Sequence, residues 1–121
     1  MRRTKNFSEK EFNCKCPRCN RTQPHEMDPE VMELVQEVRG IYGEPLTLTS
    51  AYRCPEHPVE AKKSKPGTHG QGLAVDIAVK SGFQAFRLIE IGIELGCTGF
   101  ADGNGFVHLD FKANRVSTWR Y

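Results

Sequence analysis

The sequence predicts one α+β domain, in which helices pack on one face of a small, mostly antiparallel sheet. Three observations carry this prediction. Two segments repeat apolar residues at helical spacing, five short segments have the pattern of strands, and an Asp-Gly-Asn-Gly turn at 102–105 joins two of these strands as a hairpin. A length of 121 residues fits a single domain, 1–121, with residues 1–27 as an irregular, cysteine-bearing lead-in.

The first helix is predicted to begin at Pro29, with Asp28 as its N-cap. Its apolar residues recur at helical spacing, and we expect Gly40 and Gly43 to end it. The next segment, residues 46–50 (LTLTS), alternates apolar and polar side chains and is predicted to be a strand.

A long irregular segment, residues 53–72, follows this strand. It contains three prolines, three glycines and three lysines, and a loop of this length in a small domain is usually functional or disordered. The segment after it, residues 73–79 (LAVDIAV), is predicted to be a strand. Ser81 then caps a second helix, which we expect to end at Gly96.

The remaining strands are predicted at residues 97–101, 106–111 and 115–119. Because alternate side chains of a strand face opposite ways, His108 and Asp110 share one face of the sheet. Asp76 interrupts an otherwise apolar strand, and burying its carboxylate costs several kcal/mol unless the group is paired or binds a metal. Taken alone, each of these polar residues is also explained by a solvated sheet face.

His69 lies at the end of the long loop, where Gly70 and Gly72 let the backbone turn tightly before the next strand. A loop histidine and the strand aspartate can therefore converge, and His108 on a nearby strand adds a third ligand. Two nitrogens and one oxygen form the ligand set of a catalytic zinc, which leaves a fourth position for water.

Three blocks of sequence carry a resemblance to a known family. The block HGQGLAVD (69–76) fits the pattern H-x-x-G-x-A-x-D, TSAYR (49–53) resembles an S-G-Y-R segment, and FVHLD (106–110) resembles an F-V-H-V-D strand. Their order and spacing are similar to those of the M15 family, the zinc D-Ala-D-Ala carboxypeptidases and related peptidases of peptidoglycan. The resemblance extends from about Asn6 to Trp119, and the small form of the chain looks most like phage endolysins of that family.

The resemblance implies a fold similar to that of the hedgehog domain and the D-Ala-D-Ala peptidases, a Zn²⁺ cofactor and peptidoglycan stem peptides as substrate. It implies that His69, Asp76 and His108 are the zinc ligands. It also implies that Arg53 binds a substrate carboxylate, a task that suits the planar guanidinium. The bond that is cut stays open, as does the choice between carboxypeptidase and endopeptidase.

Two positions depart from the family's pattern. Gly67 stands where many members have serine, and Gly105 stands where several relatives have an acidic base. The base must then come from elsewhere. We expect Asp110 because it shares the face of His108, although it could instead orient a ligand histidine. Asp102 is the second candidate, and its place in a turn explains it equally well.

The cysteines form a second group of interest. Cys14, Cys16 and Cys19, together with His25 or Cys54, could hold a structural zinc ion. Reduced, partly buried thiols explain them equally well.

Composition and charge limit the possible partners and location. The 17 basic and 15 acidic residues leave a net charge of +2, which is too weak to indicate binding to nucleic acid or a membrane surface. No apolar stretch reaches the length of a membrane span, and the N-terminus lacks the apolar core of a secretory signal. We expect a monomer made in the cytoplasm without a signal peptide, which acts on the cell wall (periplasm) after release.

Two other functions stay open. One is a zinc-binding module of the same fold that does not hydrolyse peptides, as the missing acid at position 105 permits. The other is a nucleic-acid binder built on the cysteine cluster, which the weak net charge disfavours.

Overall fold

The computed structural model describes residues 5–19, 24–112 and 117–120. In chain order, the elements of this part are a 3-10 helix Glu9–Phe12, α1 Pro29–Tyr42, β1 Leu48–Ser50, a 3-10 helix Glu60–Lys62, β2 Ala74–Ala78, α2 Gly82–Glu94, β3 Gly99–Asp102, β4 Phe106–Asp110 and β5 Ser117–Arg120. Among these described residues, no helix has both the length and the apolar character needed to cross a membrane.

The strands form one sheet in the order β1-β2-β4-β3-β5. Neighbouring strands are antiparallel except β3 and β5, which run parallel. The helices contact each other, and α2 packs on β4. The predicted α+β fold with a mostly antiparallel sheet is confirmed. The first two residues of the predicted last strand, 115–116, lie outside the described residues, and β5 is observed from Ser117.

The two faces of the sheet differ in chemistry because alternate residues of a strand point opposite ways. One face is apolar and packs against the helices. Its fully buried residues are Val75, Ile77, Val107 and Leu109, which pack with Leu88 and Ile91 of α2. Each such side chain contributes roughly 1.5–3 kcal/mol by leaving water. The opposite face carries Asp76, His108 and Asp110, which are also buried.

The helix boundaries follow from their capping residues. The carboxylate of Asp28 and the hydroxyl of Ser81 accept backbone N–H groups in the first turns of α1 and α2, as predicted. The prediction that Gly40 helps to end α1 is wrong. Gly40 lies inside the helix, and Gly43, with a φ of +85°, ends it by donating its N–H to the carbonyl of Arg39.

Candidate metal centre and active site

Three side chains meet on the buried polar face of the sheet. Asp76 on β2 lies directly opposite His108 on β4, and His69 comes from the loop before β2. Asp76 Oδ1 lies 3.1 Å from His69 Nε2 and 3.0 Å from His108 Nδ1, and the two nitrogens are 3.2 Å apart. The structure thus brings together the three residues predicted as metal ligands.

The turn that delivers His69 requires glycine at position 72. Gly72 has a φ of +75°, and a Cβ atom on it would lie 2.2 Å from the carbonyl oxygen of Glu26. Its N–H donates to the carbonyl of His69, and its own carbonyl accepts the N–H of Asp28 at the start of α1. The loop that carries His69 is therefore fixed to the first helix.

Hydrogen bonds on the far side of each imidazole fix which nitrogen faces the centre. His69 Nδ1 lies 2.7 Å from the carbonyl oxygen of Ala51, which can only accept, so Nδ1 donates and, in the neutral ring, Nε2 presents a lone pair. His108 Nε2 donates to Asp110 Oδ2 at 2.9 Å, which leaves Nδ1 directed at Asp76. Ligand histidines are commonly oriented in this way by a carbonyl or carboxylate.

The electrostatics of the site favour a positive charge at its centre. Burial opposes ionisation of Asp76, but the hydrogen bonds that His108 and His69 donate in their protonated forms outweigh it and hold the pKa of this carboxyl well below its usual range. Burial also disfavours a charged imidazole and lowers the pKa of His69. For His108 the same effect is outweighed by hydrogen bonds to Asp110 and Asp76, so its pKa is raised. A metal ion entering here displaces a proton, so its affinity falls as the pH falls.

The donor set fits a zinc ion. Tetrahedral ligand atoms about 2.0–2.1 Å from zinc lie about 3.4 Å from one another. The separations observed among the two nitrogens and the carboxylate oxygen are 3.0, 3.1 and 3.2 Å, so these atoms need to move apart by only a few tenths of an ångström. The same three residues form a group able to hold a metal ion.

Asp110 lies behind His108 as seen from the three converging atoms. Its carboxylate is fully buried and bonds the ring nitrogen that faces away from Asp76. Gly99 on the neighbouring strand makes room for it, because a Cβ atom on Gly99 would lie 2.4 Å from Asp110 Oδ2. The arrangement matches the orienting role considered for Asp110, because the His108 ring separates its carboxylate from the centre.

Arg53 borders the other side of the centre. Its Nη2 lies 3.4 Å from Asp76 Oδ2, the carboxylate oxygen that does not face the histidines, and its Nε donates to Ser50 Oγ at 3.2 Å. The side chain also lines a cleft of about 200 Å³ between the start and the end of the long loop. The structure thus brings Arg53, the residue predicted to bind the substrate, beside the three candidate metal ligands.

The family model for Peptidase M15 matches residues 5–110 of the chain. The chain belongs to the peptidase M15 family. A comparison with curated proteins finds no significant match. The family assignment makes the chain a peptidase of a metallopeptidase family with substrates of the peptidoglycan type, and the His69–Asp76–His108 group is its candidate metal site.

The M15 chain also contains a buried carboxylate that the sequence analysis did not single out. Glu60 accepts the N–H of Gly67 at 2.9 Å and the ammonium of Lys63 at 3.0 Å, and its Oε2 lies 4.0 Å from Arg53 Nη1. Burial opposes its ionisation, but the hydrogen bonds from Gly67 and Lys63 outweigh this effect and lower the pKa of Glu60. Glu60 therefore fixes the loop around Arg53.

Gly67 and Gly105, the two departures from the M15 pattern, and Asp102, the second candidate base, all lie in described parts of the chain. At position 67, a Cβ atom would lie 2.5 Å from Lys63 Nζ, so glycine leaves room for this lysine. Gly105, with a φ of +82°, lies in the turn before β4. Asp102 is exposed and pairs with Val107, so its side chain leaves the sheet on the face opposite His108. The structure does not bring Asp102 to the candidate metal site.

Proposed function

We propose that this M15 peptidase is a zinc enzyme that hydrolyses peptide bonds in the stem peptides of bacterial peptidoglycan, as a phage endolysin-type lytic enzyme. His69, Asp76 and His108 hold the metal. The observation that carries the proposal is the convergence of one oxygen and two nitrogens, 3.0–3.2 Å apart, in a chain of this family.

A zinc ion held by these three residues would supply Lewis-acid chemistry for the scissile carbonyl and would lower the pKa of a water molecule. The protein's own groups position the chemistry. The Ala51 carbonyl and the Asp110 carboxylate keep the two imidazoles in the tautomers that direct lone pairs at the centre. We assign Asp110 this orienting role rather than direct proton transfer.

Arg53 binds an anionic group of the substrate. Its guanidinium contacts Asp76 Oδ2 on one side and approaches Glu60 on the other, so the two carboxylates hold it at the rim of the cleft. A substrate carboxylate that reaches this cleft meets a planar donor suited to two parallel hydrogen bonds. Such a contact fixes the peptide beside the metal ligands.

The test is digestion of purified peptidoglycan by the zinc-loaded protein, followed by mass spectrometry of the released fragments. We expect new peptide termini that disappear after chelation and return when zinc is added, and the fragment masses identify the bond. Intact peptidoglycan in the presence of a fully zinc-loaded protein would contradict the proposal and favour a non-hydrolytic zinc-binding module. Salt-dependent binding to DNA or RNA without hydrolysis would favour the nucleic-acid alternative.

Changing Arg53 to lysine is expected to weaken substrate binding while zinc is retained. Lysine keeps the charge but lacks the planar guanidinium, whose nitrogens donate hydrogen bonds to Ser50 and Asp76. A charge-assisted hydrogen bond contributes about 1.5–3 kcal/mol, so kcat/KM for carboxylate-bearing peptides should fall by about 10-fold or more.

The matched control is Arg87→Lys, at an exposed ion pair with Glu90 on α2. It should leave both zinc content and kinetics unchanged. If Arg53→Lys has the kinetics of the unmodified protein, Arg53 does not bind the substrate.

A further inference from the structure

Four of the five cysteines lie together beside the loop that carries Arg53. Cys14, Cys16 and Cys54 are buried and Cys19 is partly exposed. Their four sulfur atoms all lie within 4.8 Å of one another, with 3.5 Å between Cys16 and Cys19 and 3.6 Å between Cys16 and Cys54. The structure forms no disulfide among the five cysteines, all of which lie within its described residues.

The distances between the four sulfur atoms suit a metal ion with tetrahedral coordination. Sulfur ligands about 2.3 Å from a zinc ion lie about 3.8 Å apart at tetrahedral angles. The sulfur of Cys16 lies 3.5 Å from that of Cys19 and 3.6 Å from that of Cys54, which is close to this value. The other pairs of sulfur atoms lie within 4.8 Å, so each needs to shorten by at most about 1 Å. Only small shifts are therefore needed for four sulfurs to enclose one ion.

We propose that Cys14, Cys16, Cys19 and Cys54 bind a zinc ion that is structural and separate from the candidate catalytic metal. Four protein ligands fill a tetrahedral shell and leave no position for a substrate. The sequence left the fourth ligand open between Cys54 and His25. The ring of His25 instead bonds Glu9 through Nε2 at 2.8 Å and accepts the N–H of Met27 at Nδ1.

The ion would join two distant parts of the chain next to the active site. Three ligands lie in the N-terminal segment, and Cys54 directly follows Arg53. A backbone hydrogen bond from Tyr52 N–H to the Phe12 carbonyl, at 3.1 Å, already links the same two segments. The proposed site therefore fixes the start of the loop that presents Arg53.

Cobalt(II) can test the site because thiolate ligands give a cobalt charge-transfer band in the near ultraviolet, whereas His and Asp ligands do not. We expect the full-length, reduced protein loaded with cobalt to show this band at an intensity typical of four thiolates. The His69→Ala variant should retain its full intensity, and Cys16→Ser, which leaves three cysteines, should lose at least the part that one thiolate contributes. Cys97→Ser, which removes a buried cysteine outside the cluster, is the matched control and should retain the full intensity.

Zinc content gives a second readout: two ions per chain in the unmodified protein and one in His69→Ala. The proposal fails if the unmodified protein shows no band although all its thiols are titrated as reduced. It also fails if Cys97→Ser abolishes the band. Both decisive measurements use folded protein, so instability of the Cys16→Ser variant does not affect the outcome. A failed peptidoglycan assay leaves this result unchanged, because the band reports thiolate ligation alone.

Discussion

Replacing His69, Asp76 or His108 by alanine is expected to remove one zinc ion per chain and to abolish peptidoglycan hydrolysis. Each side chain supplies one of three atoms that converge within 3.0–3.2 Å, so two ligands remain after any one substitution. Loss of a group that merely orients a ligand costs about 10–100-fold in metal affinity, and loss of a ligand should cost more. Zinc content, zinc affinity and circular dichroism should be measured together.

Two control variants match the chemistry of these substitutions. Asp102→Ala removes an exposed carboxylate on the other face of the sheet, and His25→Ala removes an imidazole that bonds Glu9. Both should keep this zinc ion. A folded His69, Asp76 or His108 variant with full zinc occupancy and undiminished turnover would show that the replaced residue is not a ligand.

The second large effect is expected from Asp110→Asn. Asparagine can accept the hydrogen bond from His108 Nε2, but its amide can also donate, which permits the tautomer with a hydrogen on Nδ1. That tautomer directs a hydrogen at the metal position. Zinc affinity should therefore fall by about 10–100-fold. Zinc titration against a competing chelator measures this change, and turnover at saturating zinc measures the chemical step separately.

The result separates two roles for Asp110. If Asp110 took a proton from water itself, Asp110→Asn would keep its zinc and lose turnover by about 10²–10⁴-fold. That outcome would contradict the orienting role. Asp102→Asn is the matched control and should change neither quantity. If it abolishes turnover while Asp110→Asn does not, the essential carboxylate is Asp102.

Local sequence signals predicted the framework of the fold. Asp28 and Ser81 cap the helices because their side chains accept N–H groups, a property of a few residues and independent of the rest of the chain. The glycine at position 40, by contrast, did not mark the end of α1. A Cβ atom at Gly40 would meet nothing within 4 Å, so this glycine is a tolerated interruption rather than a stop. The parallel pairing of β3 with β5 is a long-range feature without a local signal.

The candidate metal site was predictable to the level of residue type and strand face. Because side chains alternate along a strand, His108 and Asp110 were predicted to share one face of the sheet. The observed register of β2 with β4 puts Asp76 opposite His108. Which imidazole nitrogen faces the centre depends on the Ala51 carbonyl and on the Asp110 rotamer. These are three-dimensional contacts that sequence spacing does not encode.

The surroundings of Arg53 were the least predictable part. Glu60 begins a short 3-10 helix in a segment without apolar periodicity, and its burial depends on three partners, Arg53, Lys63 and Gly67. Its spacing of three residues from Lys63 is a local signal, but such pairs are common on solvated surfaces. The choice of Cys54 over His25 in the cysteine cluster likewise depends on where the long loop begins in space.

We propose that His69, Asp76 and His108 hold one metal ion through defined atoms. Anomalous diffraction at the zinc absorption edge, from crystals of the zinc-loaded protein, tests this assignment most directly. We expect a peak about 2.0–2.2 Å from His69 Nε2, Asp76 Oδ1 and His108 Nδ1. Absence of a peak among these three atoms in zinc-loaded crystals would contradict the account, and so would ligation through the opposite nitrogen of either imidazole.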